Sequence, residues 1–238
     1  MKHRAVRTAA ILVMGLSAVR AAGPGAERPP QAAPSNYHPL FGDVVRPPGF
    51  PAMGKWMIGP DLAYAHWLGA LFRGKSLREP FNVVLIDDLA STPEDAVRRF
   101  FRACRLAGYS SRPGHSGGYF GWLGGRLFPQ TPSAKHHALA NEPFELHNNH
   151  GRFFGPYWWN GRFYWIGSLS REKLNLARRV KHEFVSFNQA RDSFAQALMA
   201  RAGFRIRSPL GLENAILDDP RLCTGDHDGR AVVLVATR

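Results

Sequence analysis

Cysteine is scarce in this 238-residue chain, which has only Cys104 and Cys223. Two thiols exclude a disulfide-built scaffold and an all-cysteine zinc site. One bridge between Cys104 and Cys223 is the most that can form. A buried free thiol at Cys104, which falls on the apolar face of an expected helix, competes with it. Acidic residues are also few, 18 against 31 Lys and Arg, for a net charge of +13. Such an excess draws a protein toward anionic lipid, phosphorylated glycan or nucleic acid. Long apolar runs are missing as well: no segment reaches 18 uncharged apolar residues, and a spanning helix needs roughly 20. The phosphate-cradling and dinucleotide glycine motifs, the G-x-S-x-G nucleophile elbow and the H-E-x-x-H metal motif do not occur. Their absence removes the usual nucleotide-binding, serine-hydrolase and zinc-protease readings.

What is there begins with a leader. Lys2, Arg4 and Arg7 precede the uncharged run Thr8–Val19, and Val19-Arg20-Ala21 offers small residues for cleavage after Ala21. That order of basic, apolar and small residues predicts a secretory signal peptide over 1–21. At 12 residues the apolar run is too short to span a bilayer. Export places the protein in the periplasm or outside the cell. Cleavage lowers the charge of +13 by the four of Lys2, Arg4, Arg7 and Arg20, to +9. Residues 22–51 are rich in Pro, Ala and Gly and read as an extended leader, anchored by Tyr37, Leu40 and Phe41. Residues 52–238 fit one domain.

Within that domain, Pro60 predicts the first turn of a buried helix running to Phe72. Phe81–Ile86 is a short apolar run, the mark of a buried strand. Thr92-Pro93-Glu94-Asp95 predicts a helix start, with a side-chain cap, proline in the first turn and acids at the positive end of the dipole. Val97, Phe100, Phe101 and Cys104 then form one apolar face, and Gly108 ends the helix. The glycine-rich run 112–132 predicts a loop or a broken strand pair. Asn160-Gly161 between two aromatic arms, 144–159 and 162–169, predicts a hairpin, with Gly155-Pro156 at a bulge. A strand over His182–Phe187, a helix capped by Asn188 and ended by Gly203, and strands at Phe204–Arg207 and Ala231–Thr237 complete the pattern. Strand, helix and Ala-Gly-aromatic occur twice, ending at Tyr109 and Phe204. The fold class expected is therefore α+β: a mixed or antiparallel sheet with helices on one face, a two-layer sandwich with a strand–helix–strand pseudo-repeat.

Candidate chemistry concentrates late in the chain. His136, His137, His147, His150 and His182 invite a metal, but no ligand spacing links them, so no metal or other cofactor is expected. His150, Arg152 and Phe154 share a strand face, whereas His147 points away from His150. The binding candidates are His150, Arg152, Lys181, His182 and Arg191, extended by Arg178 and Arg179, since guanidinium forks phosphate and carboxylate oxygens. Arg191 and Asp192 are also suited to a structural ion pair. Acid–base work by Asp192 or Asp228 has a cheaper explanation in a helix start and an Asp-Gly turn.

From Pro80 to the C-terminus the chain resembles the LssY C-terminal-like domain family of bacterial envelope proteins. The match lies in the PFNVVLI strand at 80–86 with its helix ending Ala107-Gly108-Tyr109, and in Asn149-His150-Gly151-Arg152-Phe153-Phe154. It continues in Asn160-Gly161-Arg162 through Trp165-Ile166-Gly167-Ser168, in Lys181-His182 through Ala190-Arg191-Asp192, and in Asp228-Gly229-Arg230. Where the family pattern carries a second His and several acids, this chain has Lys181, Phe184, Ser186, Asn188 and Ala190, so any chemistry resting on those acids is not expected here. The resemblance implies an envelope protein without specifying a reaction. Together with the charge, it points to an accessory or binding module for an anionic lipid or glycan of the cell envelope. A hydrolase of phosphorylated or acylated envelope substrates and a protein-interaction scaffold are the alternatives. Nucleic acid fits the charge but neither the expected compartment nor any motif.

Overall fold

The structure, a computed structural model, describes residues 36–68, 71–175 and 182–237. The expected signal peptide, Arg178, Arg179 and Lys181 lie outside the described residues. No helix among the described residues is long and apolar enough to cross a membrane.

In chain order the strands and helices are β1 (Val44–Val45), β2 (Met53–Gly54), β3 (Ser76–Leu77), β4 (Val83–Asp87), α1 (Pro93–Leu106), β5 (Ser110–Arg112), β6 (Phe120–Leu123), β7 (Arg126–Thr131), β8 (Ala138–Ala140), β9 (Asn148–Trp159), β10 (Arg162–Leu174), β11 (His182–Ser186), α2 (Phe187–Arg201), β12 (Phe204–Gly211), β13 (Leu222–Cys223) and β14 (Arg230–Ala236). The class is α+β. One curled mixed sheet runs β1-β2-β6-β7-β9-β10-β4-β14-β12, with β11 added to β10 and β8 to β9. β4 and β14 pair in parallel, and the other pairs of this sheet are antiparallel.

Alternation along the central strands builds two cores. Val83, Leu85, Phe153, Trp165, Val232 and Leu234 point to the face covered by both helices, where they meet Phe100, Cys104, Phe194 and Leu198. Their neighbours Val84, Ile86, Phe154, Tyr164, Ile166 and Val233 point the other way, against Met53, Met57 and Phe81 of the N-terminal segment. A sheet buried on both faces requires strands that are apolar at nearly every position, and Val83–Asp87 is buried throughout.

Helix α1 starts where the sequence predicts: Thr92 Oγ1 accepts from Asp95 N–H at 3.1 Å. The hairpin turn also follows expectation. Asn160 and Gly161 both take positive φ, 47° and 78°, the conformation that matches strand twist in a two-residue turn. Between Tyr164 and Ile166 the register shifts opposite Gly155-Pro156. The run 112–132 forms a strand pair, β6 and β7, turned at Gly124-Gly125.

Three expectations need correction. Residues 60–68 and 71–72 are not helical. Leu62 adopts φ +66° and the segment folds back as a ribbon, with isolated bridges Ile58–Tyr64, His66–Arg78 and Phe72–Lys75. Ala65 and Trp67 are buried while Leu68 is 69 % exposed, a period of two that an all-round apolar reading hid. The cap of α2 is Ser186, whose hydroxyl accepts from Gln189 N–H at 2.8 Å; Asn188 lies inside the first turn. In the leader, Tyr37 packs against the domain, but Leu40 and Phe41 face solvent.

Candidate metal centre

The β9–β10 hairpin is longer than the sheet it crosses. Phe163–Gly167 of β10 pairs with β4, whereas Arg171–Leu174 pairs with β11. Beyond β4, the face opposite the helices changes character. Cross-strand partners Phe154–Ile166 give way to Arg152–Ser168, His150–Ser170 and Asn148–Glu172. All six of these polar side chains are buried. The polar rows follow the same two-residue period as the core, so they line a sealed trough continuous with it.

The trough is roofed by two connections. His115, from the β5–β6 link, stacks on His150 with ring centroids 4.7 Å apart. Phe144, from the β8–β9 link, meets His115 edge-on and stacks on His182 at 4.0 Å. Arg152 fixes the roof by donating from Nη2 to Ser116 O at 2.7 Å and lies over the Tyr119 ring.

One donor atom each from His115, His150 and Glu172 converges within 4.8 Å, and all three side chains are buried. Asn148 orients two of them: its Nδ2 donates to Glu172 Oε1 at 2.9 Å, and its Oδ1 lies 3.1 Å from His150 Nδ1. Ser170 Oγ lies 3.3 Å from His150 Nε2. His182 borders the group, with Nδ1 3.3 Å from Glu172 Oε1. Buried His115 Nε2 has no hydrogen-bond partner among the described residues.

Burial governs the protonation of these groups. Removal from water, with Arg152 and His182 nearby, lowers His115 to about 3. Burial, His115 and Arg152 push His150 well below the usual imidazole value. Burial raises Glu172 to about 7, against the opposing pull of Asn148 and Arg152. At neutral pH both imidazoles are therefore neutral and can offer lone pairs, while the carboxyl lacks a full counter-charge. A divalent ion would supply that charge. Two imidazoles and a carboxylate suit zinc or another borderline first-row ion. Tetrahedral zinc with bonds of about 2.0–2.1 Å separates its ligand atoms by roughly 3.3 Å. His150 Nδ1 lies 3.6 Å from Glu172 Oε1, but Asn148 Oδ1 can only accept, so Nδ1 ligates an ion only by giving up its proton and that contact. The three donor atoms, within 4.8 Å of one another, must draw together around an ion.

Of the residues singled out from sequence, His150, Arg152 and His182 come together here. Arg191 does not: its Nε lies 2.8 Å from Asp192 Oδ1, its Nη1 2.7 Å from Asp228 Oδ1, and it also donates to Arg230 O. It is a structural clamp between α2 and the start of β14. The cysteines do not pair. Cys104 lies on the buried face of α1, and Cys223 lies in a separate cluster with Trp67, Leu77 and Phe187. Sequence reasoning missed His115 and Glu172, and it expected no metal because it sought ligands at fixed local spacing. The usable signal was the alternation Asn148-x-His150-x-Arg152 facing Ser168-x-Ser170-x-Glu172 across an aromatic hairpin. Comparisons with protein-family models, with curated proteins and with solved structures find no match.

Proposed function

We propose that this chain is a divalent-metal-binding protein whose ion is held by His115, His150 and Glu172, with His182 at its border. The observation that carries this reading is the convergence of three buried donor atoms within 4.8 Å, one histidine nitrogen nearby being sealed and unpartnered. The ligands are 4–5 % exposed, which favours an enclosed ion tying the roof to the sheet over an open one that activates water. For that reason a binding role is preferred to the hydrolase alternative.

The wider setting belongs to the same proposal. The basic charge, the leader and the motifs shared with the LssY C-terminal-like family support an exported accessory module for an anionic envelope component. β4–α1–β5 and β11–α2–β12 would be the remnants of its repeated two-layer plan.

Elemental analysis of the purified full-length chain, before and after chelation, tests the site. One equivalent of zinc or a similar ion is expected, with a thermal midpoint that falls on chelation and recovers on adding Zn²⁺. Co²⁺ in its place should give the visible spectrum of a nitrogen- and oxygen-ligated ion. Metal-free protein unmoved by Zn²⁺, Mn²⁺ or Co²⁺, or a Glu172→Gln variant that binds as wild type, rejects the assignment. N-terminal sequencing of the envelope fraction tests export: a mature start at Ala22 is expected, and an intact Met1 in the cytosol contradicts it.

A further inference from the structure

A cavity lies on the helix-covered face of the sheet, with none of the candidate metal ligands in its lining. It has a volume of about 320 Å³ and opens between α1, α2 and the ends of β4, β12 and β14. Its lining is divided by chemistry. Asp87, Arg99, Arg102 and Arg201 are the polar residues, and every other lining residue is apolar. Trp165 and Phe100 lie along the wall, stacked at 4.5 Å, and Leu106, 50 % exposed, stands at the mouth.

The charge balance of the mouth is positive. Asp87 is occupied: Oδ2 accepts from Arg99 Nε at 2.8 Å, and Oδ1 accepts from the N–H groups of Leu89 and Ala90. Arg102 and Arg201 are exposed and have no carboxylate partner among the described residues. The C-terminal ends of α1 and α2 each contribute about half a negative charge. With Arg99 paired to Asp87, the two guanidiniums of Arg102 and Arg201 still outweigh the two helix ends.

A small inorganic anion would leave the apolar wall unfilled, and a neutral chain would leave Arg102 and Arg201 unused. We propose that this cavity binds an anionic single-chain amphiphile, an alkyl chain with a carboxylate or phosphate head. The chain lies against Phe100 and Trp165, and the head is forked by Arg102 and Arg201. The volume sits at the lower end of the ~300–1,000 Å³ typical of small-molecule sites, so one short chain fits and a two-chain lipid does not. The site does not depend on the metal.

Calorimetry on the full-length chain with octanoate, octyl phosphate, octanol and inorganic phosphate tests the proposal, in metal-loaded and chelated protein alike. Octanoate or octyl phosphate should bind with one-to-one stoichiometry and perturb tryptophan fluorescence, and their ranking identifies the head group. Octanol and phosphate should each bind at least about tenfold more weakly, the loss expected when one half of a two-part recognition is missing. Arg102→Glu with Arg201→Glu should weaken octanoate by a similar factor. Both side chains are exposed, so the fold, checked by circular dichroism, should survive; Ala103→Met, which fills the cavity, should block binding while leaving the arginines in place. The proposal fails if neither charged amphiphile binds, if octanol or phosphate binds as well, or if a folded double arginine variant keeps wild-type affinity.

Discussion

The rings of His115 and His150 stack with centroids 4.7 Å apart and planes inclined by 30°, inside a trough that admits almost no water. Two imidazolium ions could not share that space. Burial holds both rings neutral, His115 at about 3. Their lone pairs are the resource a metal ion would use. Replacing His115 with Phe keeps a stacking ring and removes the nitrogens. The metal-free stability of His115→Phe should stay within roughly 1–2 kcal/mol of wild type, as for a near-isosteric swap, while the thermal shift given by Zn²⁺ disappears. Urea unfolding with and without Zn²⁺ reads both quantities; an undiminished shift removes His115 from the ligand set.

The same burial makes the metal-free protein acid-sensitive in a calculable way. His115, His150 and His227 are all held below the ordinary 6.5, His227 at about 4 by burial above all. Below pH 6.5 the unfolded chain binds a proton at each, whereas the native protein does not. Their contribution is full above 6.5 and is lost as the pH falls through their native values, about 4 for His227 and about 3 for His115. Glu172 has the opposite sign. Its native value of about 7 lies above the ordinary 4.5, so its contribution is full below 4.5 and is lost as the pH rises to 7. Between 4.5 and 6.5 these groups gain three protons and release one on unfolding. His66, held low by burial and Arg78, and Glu79, held high by burial, add one of each sign. The net of two gives stability a slope of at most roughly 3 kcal/mol per pH unit. Glu172→Gln should steepen that limb by about one proton and abolish the loss near pH 7. Urea titrations of chelated protein across this range check the slope, and a flat profile rejects the buried-neutral assignment.

How far the fold was legible depended on how local its signals were. The Thr92 cap and the Asn160-Gly161 turn each state their geometry within four residues, and the structure follows both. Residues 60–72 failed because Leu, Ala, Trp and Phe crowd both a helical and an alternating template. The pairing of Trp67 N–H with Leu77 O decides between them, and nothing in the segment itself reveals that partner. The candidate site was hidden for the same reason. His115 comes from a glycine-rich link, His150 from one arm of a hairpin and Glu172 from the far end of the other. Only the β9–β10 register and the return of the roof bring them together.

Asn82 illustrates a contact of that long-range kind with a measurable energy. Fully buried, it accepts from Leu169 N–H at 3.0 Å and donates to Leu169 O at 2.9 Å. Its amide thus stands in for a strand just beyond the first residue of β4. Asn82→Leu would leave both backbone groups of Leu169 without this partner in the core. At about 1–3 kcal/mol for each unsatisfied group, the loss should be roughly 2–6 kcal/mol. Chemical denaturation measures it, and a loss below 1 kcal/mol would mean that the surrounding chain re-pairs Leu169.

The two thiols should behave as core side chains. Burial raises Cys104 far above the ordinary thiol value, and Cys223 is also buried. Only a thiolate reacts readily. Iodoacetamide should therefore leave native protein unmodified and label both residues after denaturation without reductant. A peptide linking Cys104 to Cys223 in a non-reducing digest would contradict the structure.

Gly167 faces the helix-side core where β9 and β10 pair. A Cβ placed there would lie 2.4 Å from Phe153 Cε1. Phe153 cannot withdraw easily, being fully buried with its ring 5.2 Å from Phe100 and 5.3 Å from Phe194. The missing side chain is the space the phenyl ring occupies, a cross-strand pairing of glycine with an aromatic. Gly167→Ala should cost about 1–3 kcal/mol through overpacking. Phe153→Leu alone should also destabilise, by leaving a cavity. Combined, the two changes relieve each other, since the methyl enters space that the shorter side chain vacates. Their coupling should reach roughly 0.5–3 kcal/mol, the range for residues in direct contact. Strict additivity in a denaturation cycle would show that the clash is absorbed elsewhere, in the backbone of the hairpin.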